Sequence, residues 1–242
     1  MAETGHAVNI AHFDKLITYC ESYAGDYNPS NPLLETAPLH TLYTEANTFN
    51  NDVASTLADT RVAINDRETK FSGIRKLTTR CVNAFAVSGA TENAVEDAKG
   101  LQRKINGARA KALPDDDPGT PDDESKGISV SQQSYVQLAE HFKKMIDLFQ
   151  SDGHYDPNET ELQLGTLDGF LAACISANSN VSDNLVSLDF RRNARNATLY
   201  ADGGEGLVDR AQLVKKYVKS LYGADSPQYK QVAALEFRRI PV

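Results

Sequence analysis

One stretch of this sequence is written twice. AHFDKLITYCESYAGDYNP at 11–29 and EHFKKMIDLFQSDGHYDP at 140–157 share His, Phe, Lys and Ile in register (His12/His141, Phe13/Phe142, Lys15/Lys144, Ile17/Ile146). In each, a Tyr then leads into a turn that holds a Pro: Tyr27 and Pro29, Tyr155 and Pro157. Self-similarity at a fixed offset restricts a chain more than composition does, because the two stretches must fold into the same kind of unit. The register runs well past the opening. At an offset of 128, Leu39 meets Leu167, Asn50 meets Asn178, Val53 meets Val181, Leu57 meets Leu185, and Asn65-Asp-Arg67 meets Asn193-Ala-Arg195. An insertion around YADGGEG, 200–206, moves the offset to 136, where Leu77 meets Leu213, Val82 meets Val218 and Phe85 meets Leu221. Gly89-Ala90 then matches Gly223-Ala224, and Arg103-Lys104-Ile105 matches Arg238-Arg239-Ile240.

Each half reads as four helices. Ile10, Phe13, Leu16, Ile17 and Cys20 recur at steps of three and four, the spacing of one helix face. DYNPSNP stops that helix, since Pro has no amide hydrogen and biases the residue before it away from helix. Thr36 opens a second helix, with Pro38 tolerated in its first turn, and Leu39, Leu42, Ala46, Val53, Leu57 and Ile64 carry it to about residue 70. Ile74 to Phe85 predicts a third, ending near Ser88-Gly89, and Thr91 starts a fourth through Ile105. In the second half, Leu138, Phe142, Met145 and Phe149 form the first face. Thr160 with Leu162 opens the long helix of Leu164, Leu167, Leu171, Leu185 and Leu188, and the glycines at 203–206 break the pattern. No alternating β-branched run is bounded by turns. The fold class expected is therefore all-α: a tandem duplication of a four-helix bundle-like unit.

Charge locates the boundary. Of a net charge of −8, most arises in PDDDPGTPDDESKG, 114–127, with six acids and one lysine. This Pro/Gly stretch cannot bury apolar area and reads as a linker. The domains expected are repeat 1 at 1–113, the linker at 114–127 and repeat 2 at 128–242. Neither half carries the basic excess that tracks phosphates, so nucleic acid is not an expected partner. No apolar run approaches the ~20 residues of a membrane span. MAETGHAVNIAHFDK has no basic and apolar leader, so a cytoplasmic location is the default expectation, with export by a dedicated machine left open.

Candidate chemistry is sparse. His12 and His141 invite a metal or acid-base reading, but their neighbours four residues away are Val8 and Leu16, Gln137 and Met145, none of them a ligand. Both histidines are expected to be structural, at the edge of a core. Glu3-Thr-Gly-His6 has the Glu-x-x-His spacing of di-iron bundles but occurs once. Asn65-x-Arg67 and Asn193-x-Arg195 are expected to bind carbonyls or acids on an adjacent helix end, although a forked Arg also suits a carboxylate or phosphate ligand. Asn50 and Asn178 are expected to be buried polar residues that set helix register. The acid turns 152–161 and 200–206 lack the EF-hand spacing. Cys20, Cys81 and Cys174 lie opposite Phe149, Tyr217 and Ala46 in the internal alignment, so they are expected to be packed, free thiols. No P-loop, G-x-G-x-x-G, G-x-S-x-G or H-E-x-x-H occurs.

FSGIRKLTTRCVNAF at 71–85, with the opening MAETGH and the tandem Arg-Lys-Ile ending, resembles a bacterial family of tandem helical-bundle proteins that has no known activity. The resemblance implies a bacterial origin and an all-α fold, and brings no site residues. The function expected is that of a non-enzymatic structural or interaction protein without catalytic residues, cofactor or metal, whose helical bundles bind a protein partner or further copies of themselves. The alternatives are a membrane-acting helical effector and a small-ligand or metal sensor.

Overall fold

Of the 242 residues, the computed structural model describes 4–107 and 133–240. The linker 114–127 and Glu3 lie outside the described residues. Within them every regular element is helical and there is no strand: α1 (Thr4–Ser22), α2 (Thr36–Phe71), α3 (Ile74–Ala86), α4 (Glu92–Asn106), α5 (Tyr135–Asp152), α6 (Leu164–Tyr200), α7 (Leu207–Tyr222) and α8 (Pro227–Ala233). No helix among the described residues is long and apolar enough to cross a membrane. Helix ends follow local chemistry. Thr91 caps α4 by accepting from the Ala94 amide, Ser134 caps α5 through Gln137, and Ser226 caps α8 through Tyr229. Gly107 and Gly153 end α4 and α5 in the left-handed region that favours glycine.

Thr160 does not open the second long helix, as its sequence suggests. Residues Thr160–Leu162 form a 3-10 turn and α6 starts at Leu164. The reason is visible at the Leu162 carbonyl, which accepts from the buried Tyr155 hydroxyl at 2.9 Å. A carbonyl held from the side by that hydroxyl is satisfied without a helical partner. The same device precedes α2. Pro32–Leu34 is a 3-10 turn, and Tyr27 Oη donates to Leu34 O at 2.7 Å.

The chain forms two units, and they are not the two halves of the sequence. One comprises residues 1–60 and 184–242, the other 61–183. Both long helices are shared. Residues 36–60 of α2 and 184–200 of α6 belong to the first unit, 61–71 and 164–183 to the second. In the first unit, Phe13, Leu16 and Ile17 of α1 share a core with Leu39 of α2, Leu199 of α6, Val214 and Val218 of α7, and Val232 of α8. In the second, Phe142, Met145 and Phe149 of α5 share a core with Val82 and Phe85 of α3, Ala98 and Ile105 of α4, and Leu167 of α6. Each core thus takes its first helix from one half of the sequence and its third and fourth from the other. The domains expected at 1–113 and 128–242 differ from this division because neither sequence half by itself supplies all the helices of either core.

Two details of the internal alignment also change. Leu185, matched with Leu57, is exposed on α6. Arg103-Lys104-Ile105 lies in α4, whereas Arg238-Arg239-Ile240 follows the short α8 in an irregular run.

Candidate functional site

The paired residues sit in unlike surroundings. His12 lies half-buried on α1, donates from Nδ1 to the Glu236 carbonyl at 2.7 Å and meets the Phe237 ring edge-on. His141 is buried on α5, and desolvation, with Lys104 and Lys144 nearby, holds its pKa below the usual histidine value. The two positions therefore differ in environment. Among the described residues no group of three or more His, Cys, Asp or Glu could hold a metal.

Among the described residues Arg67 binds no carbonyl and no acid. Its guanidinium lies 4.3 Å from the centre of the Tyr135 ring, and its buried Nε has no hydrogen-bond partner. The flat cation finds an aromatic face before it finds an acceptor. Arg195 is buried and donates from Nε and Nη2 to Asn196 Oδ1 at 3.3 and 3.1 Å. Asn65 and Asn193 are exposed and fix neither long helix. Asn50 and Asn178 are only half-buried. Asn178 Oδ1 is buried without a hydrogen-bond partner among the described residues, beside a groove of ≈ 260 Å³ lined by Val136, Ala139 and Ile175. An amide with an idle acceptor does not set register by hydrogen bonding. A second, more polar groove of ≈ 470 Å³ lies along α6 and the end of α2, with Asp66, Lys70, Ser176 and Asp183 at its walls.

The three thiols are free and buried. Cys20 is pushed up to about 12 and Cys174 to about 11, both mainly by burial, so neither is an activated nucleophile. Two of the thiols show how the cores are matched. Around Tyr27 stand the Cys20 thiol and the Tyr217 ring, at 5.2 Å between centroids. Around Tyr155 stand the Cys81 thiol and the Phe149 ring, stacked at 4.2 Å. In the internal sequence alignment Cys20 stands opposite Phe149 and Cys81 opposite Tyr217, so thiol and ring change places between the two clusters.

Sequence reading missed the clamp on the last described residues. Asn9, buried on α1, donates to Arg238 O at 2.8 Å and accepts from Arg238 N at 3.0 Å. His6 Nδ1 and Tyr200 Oη are 2.8 Å apart, and Lys215 donates to the Leu235 carbonyl. Arg239 donates to Asp202 and Asp209 at 2.8 Å each, holding the Asp209 carboxyl below its ordinary pKa. Arg210, also buried, donates to Gly204 O at 3.0 Å. The acid turn at 200–206 is therefore braced by arginines. The other acid turn is engaged likewise, with Asp152 on His154 at 2.8 Å and Glu161 on Arg80. No local motif marks these partners, because most lie some 30 or more residues away in sequence.

Large apolar side chains are exposed at several places, among them Val62 on α2, Val136 on α5 and Ile175 on α6. On α6, within the first unit, Leu185, Val186 and Phe190 are 46, 68 and 67% exposed. Val186 and Phe190 are one helical turn apart and so share a face. Further round the helix, Asp189 and Arg192 bring their charged atoms to 4.0 Å. Compared with known proteins, the chain matches no family model, no curated protein and no solved structure.

Proposed function

We propose that this chain is a non-enzymatic interaction protein, built by tandem duplication of a helical unit, whose outward helix faces bind another protein or further copies of the chain. The observation that carries the reading is the pair Val186 and Phe190, left in solvent on one face of a helix whose opposite side packs Leu188 and Leu199 into the fold. Clustered apolar side chains on an otherwise polar surface mark sites of protein contact. The duplication is supported by the bond from Tyr27 to Leu34 and its counterpart from Tyr155 to Leu162. It is supported further by the exchange of thiol and ring between Cys20/Tyr217 and Phe149/Cys81. The histidines and arginines that recur in the two halves act in this reading as packing residues, as their contacts with Glu236, Tyr135 and Asn196 suggest.

The test is light scattering of the full chain over a concentration series, paired with capture from extracts. Concentration-dependent assembly, or a stoichiometric protein partner, is the expected result. A strict monomer that retains no partner overturns the reading.

A further inference from the structure

We infer that the cleft holding residues 235–240 is a peptide-docking site, and that it also takes this segment from a second copy of the chain, so that copies link by swapping tails. The inference rests on the interaction reading above and names the partner. The whole site lies in the first unit. The segment follows α8 as an irregular run, and side chains of other elements bind its backbone. Lys215 of α7 donates to Leu235 O, and His12 of α1 donates to Glu236 O at 2.7 Å. Asn9 of α1 donates to Arg238 O at 2.8 Å and accepts from Arg238 N at 3.0 Å. Bonds to main-chain atoms hold an extended peptide whatever its side chains, and pockets for particular side chains add selectivity. Three side chains are selected here. Phe237 meets the His12 ring edge-on at 6.1 Å and the Lys215 ammonium at 5.0 Å from its own centre. Arg239 donates to Asp202 and Asp209 at 2.8 Å each and to the Tyr200 carbonyl at 3.1 Å. Ile240 lies against Gly5, where a Cβ would collide with it. The ligand class is an extended peptide of the pattern Phe-x-Arg-Ile.

Two observations make a second copy the occupant in trans. First, the segment is separable from the fold. Exposed Ala234 joins it to α8, Glu236, Arg238 and Arg239 are exposed, and only Leu235, Phe237 and Ile240 anchor it by apolar contact. The aligned Arg103-Lys104-Ile105 lies instead inside α4, whose backbone bonds along the helix until Gly107 N reaches the Arg103 and Lys104 carbonyls. That stretch needs no cleft, whereas residues 235–240 depend on one. Second, a further copy carries the identical segment, which makes every contact above again in the identical cleft, so a swap loses no bond. A tail tethered beside its own site has an effective concentration of about millimolar. The wild-type chain therefore keeps its own tail seated in dilute solution, and copies link where a tail is unseated.

Two variants of the full chain separate tail from cleft. Arg239→Glu sets a carboxylate against Asp202 and Asp209, unseating the tail and leaving the cleft intact. Asp202→Lys with Asp209→Lys spoils the cleft and leaves the tail intact. Neither variant links to itself, since the first has no fitting tail and the second no fitting cleft. Mixed one to one, they are expected to form a heterodimer in sedimentation velocity, the tail of the second filling the empty cleft of the first. In a second arm, a fluorescein-labelled peptide LEFRRI is expected to bind the Arg239→Glu chain at least about tenfold tighter than wild type, whose cleft is already filled. The same peptide carrying Arg239→Glu is expected to bind neither chain. Far-ultraviolet circular dichroism checks each fold. Arg239→Ala replaces Arg239→Glu where the glutamate unfolds the chain, and the peptide arm needs no cleft variant. A mixture no heavier than its components overturns the second copy as occupant, even where the peptide binds. A peptide that binds wild type and Arg239→Glu equally, or binds neither, overturns the cleft as a docking site. Either failure leaves the wider interaction reading standing, to be decided by partner capture.

Discussion

The two tyrosine-centred clusters define a double-mutant cycle with a large expected coupling. Around Tyr27 the thiol is Cys20 and the ring Tyr217; around Tyr155 the thiol is Cys81 and the ring Phe149. Phe149→Cys removes a ring that is 1% exposed, with Phe85 centred 4.8 Å away on another side. Emptying such a site costs about 3 kcal/mol, the low end of the Phe-to-Ala range, since a sulfur remains. Cys81→Tyr inserts a ring where Cys81 is 0% exposed, and overpacking of that kind costs about 1–3 kcal/mol. Independent effects would therefore sum to about 4–6 kcal/mol. In the double variant the new ring enters the space the old one leaves, recreating around Tyr155 the Cys20–Tyr27–Tyr217 arrangement. The double variant is expected to lose only about 2 kcal/mol, a coupling of about 2 kcal/mol or more. Urea unfolding followed by circular dichroism at 222 nm measures all four corners. Strict additivity would refute the idea that the clusters are two versions of one packing solution.

Three further outcomes are expected. Arg67→Met should change stability by under about 1 kcal/mol, because a ring contact is lost while a partnerless buried Nε is removed; Arg195→Met should cost about 1–3 kcal/mol, and paired thermal melts compare them. His141, its pKa lowered by burial, takes up a proton in the unfolded chain near the ordinary value of about 6.5 but in the folded chain only at lower pH, so stability falls as pH drops through that window. His141→Gln should flatten urea midpoints between pH 7.5 and 5.5, and an unchanged slope would put the effect elsewhere. Asn9→Ala strips both bonds from the Arg238 backbone, with an expected cost of about 1–3 kcal/mol and faster hydrogen exchange at the Arg238 amide; unchanged exchange would mean that Asn9 does not hold this segment.

Helices were legible in the sequence because spacing and stop signals are local. The steps of Ile10, Phe13, Leu16 and Ile17, the prolines after Tyr27 and the capping Thr91 lie within a few residues of what they determine. Thr36 and residue 70 bracket α2 closely, while the spacing leaves open whether α2 runs on through Ser72-Gly73, where the chain in fact breaks before α3. Partnership between helices was not legible. Apolar spacing says which face of α1 is buried and not whether α3 or α7 covers it, and the helices aligned within the sequence carry similar apolar spacing. An acid-rich stretch at 114–127 therefore suggested halves that the cores do not follow. One clue lay in α2 itself. At 36 residues it is about three times the usual helix length, more than one core of this size can cover. The polar contacts of the paired residues were illegible for a related reason. Arg67 meets Tyr135 and His12 meets Glu236, and no spacing rule reaches across 68 or 224 residues.

The exchange of helices between the sequence halves can be measured directly with two fragments. Residues 61–183 are continuous and make up the whole of one unit, whereas residues 1–113 hold α1 without the α7 and α8 that cover it. The 61–183 fragment is expected to be helical and to unfold cooperatively in urea, and the 1–113 fragment to lack a cooperative transition. A cooperative 1–113 fragment beside an unfolded 61–183 fragment would contradict the exchange.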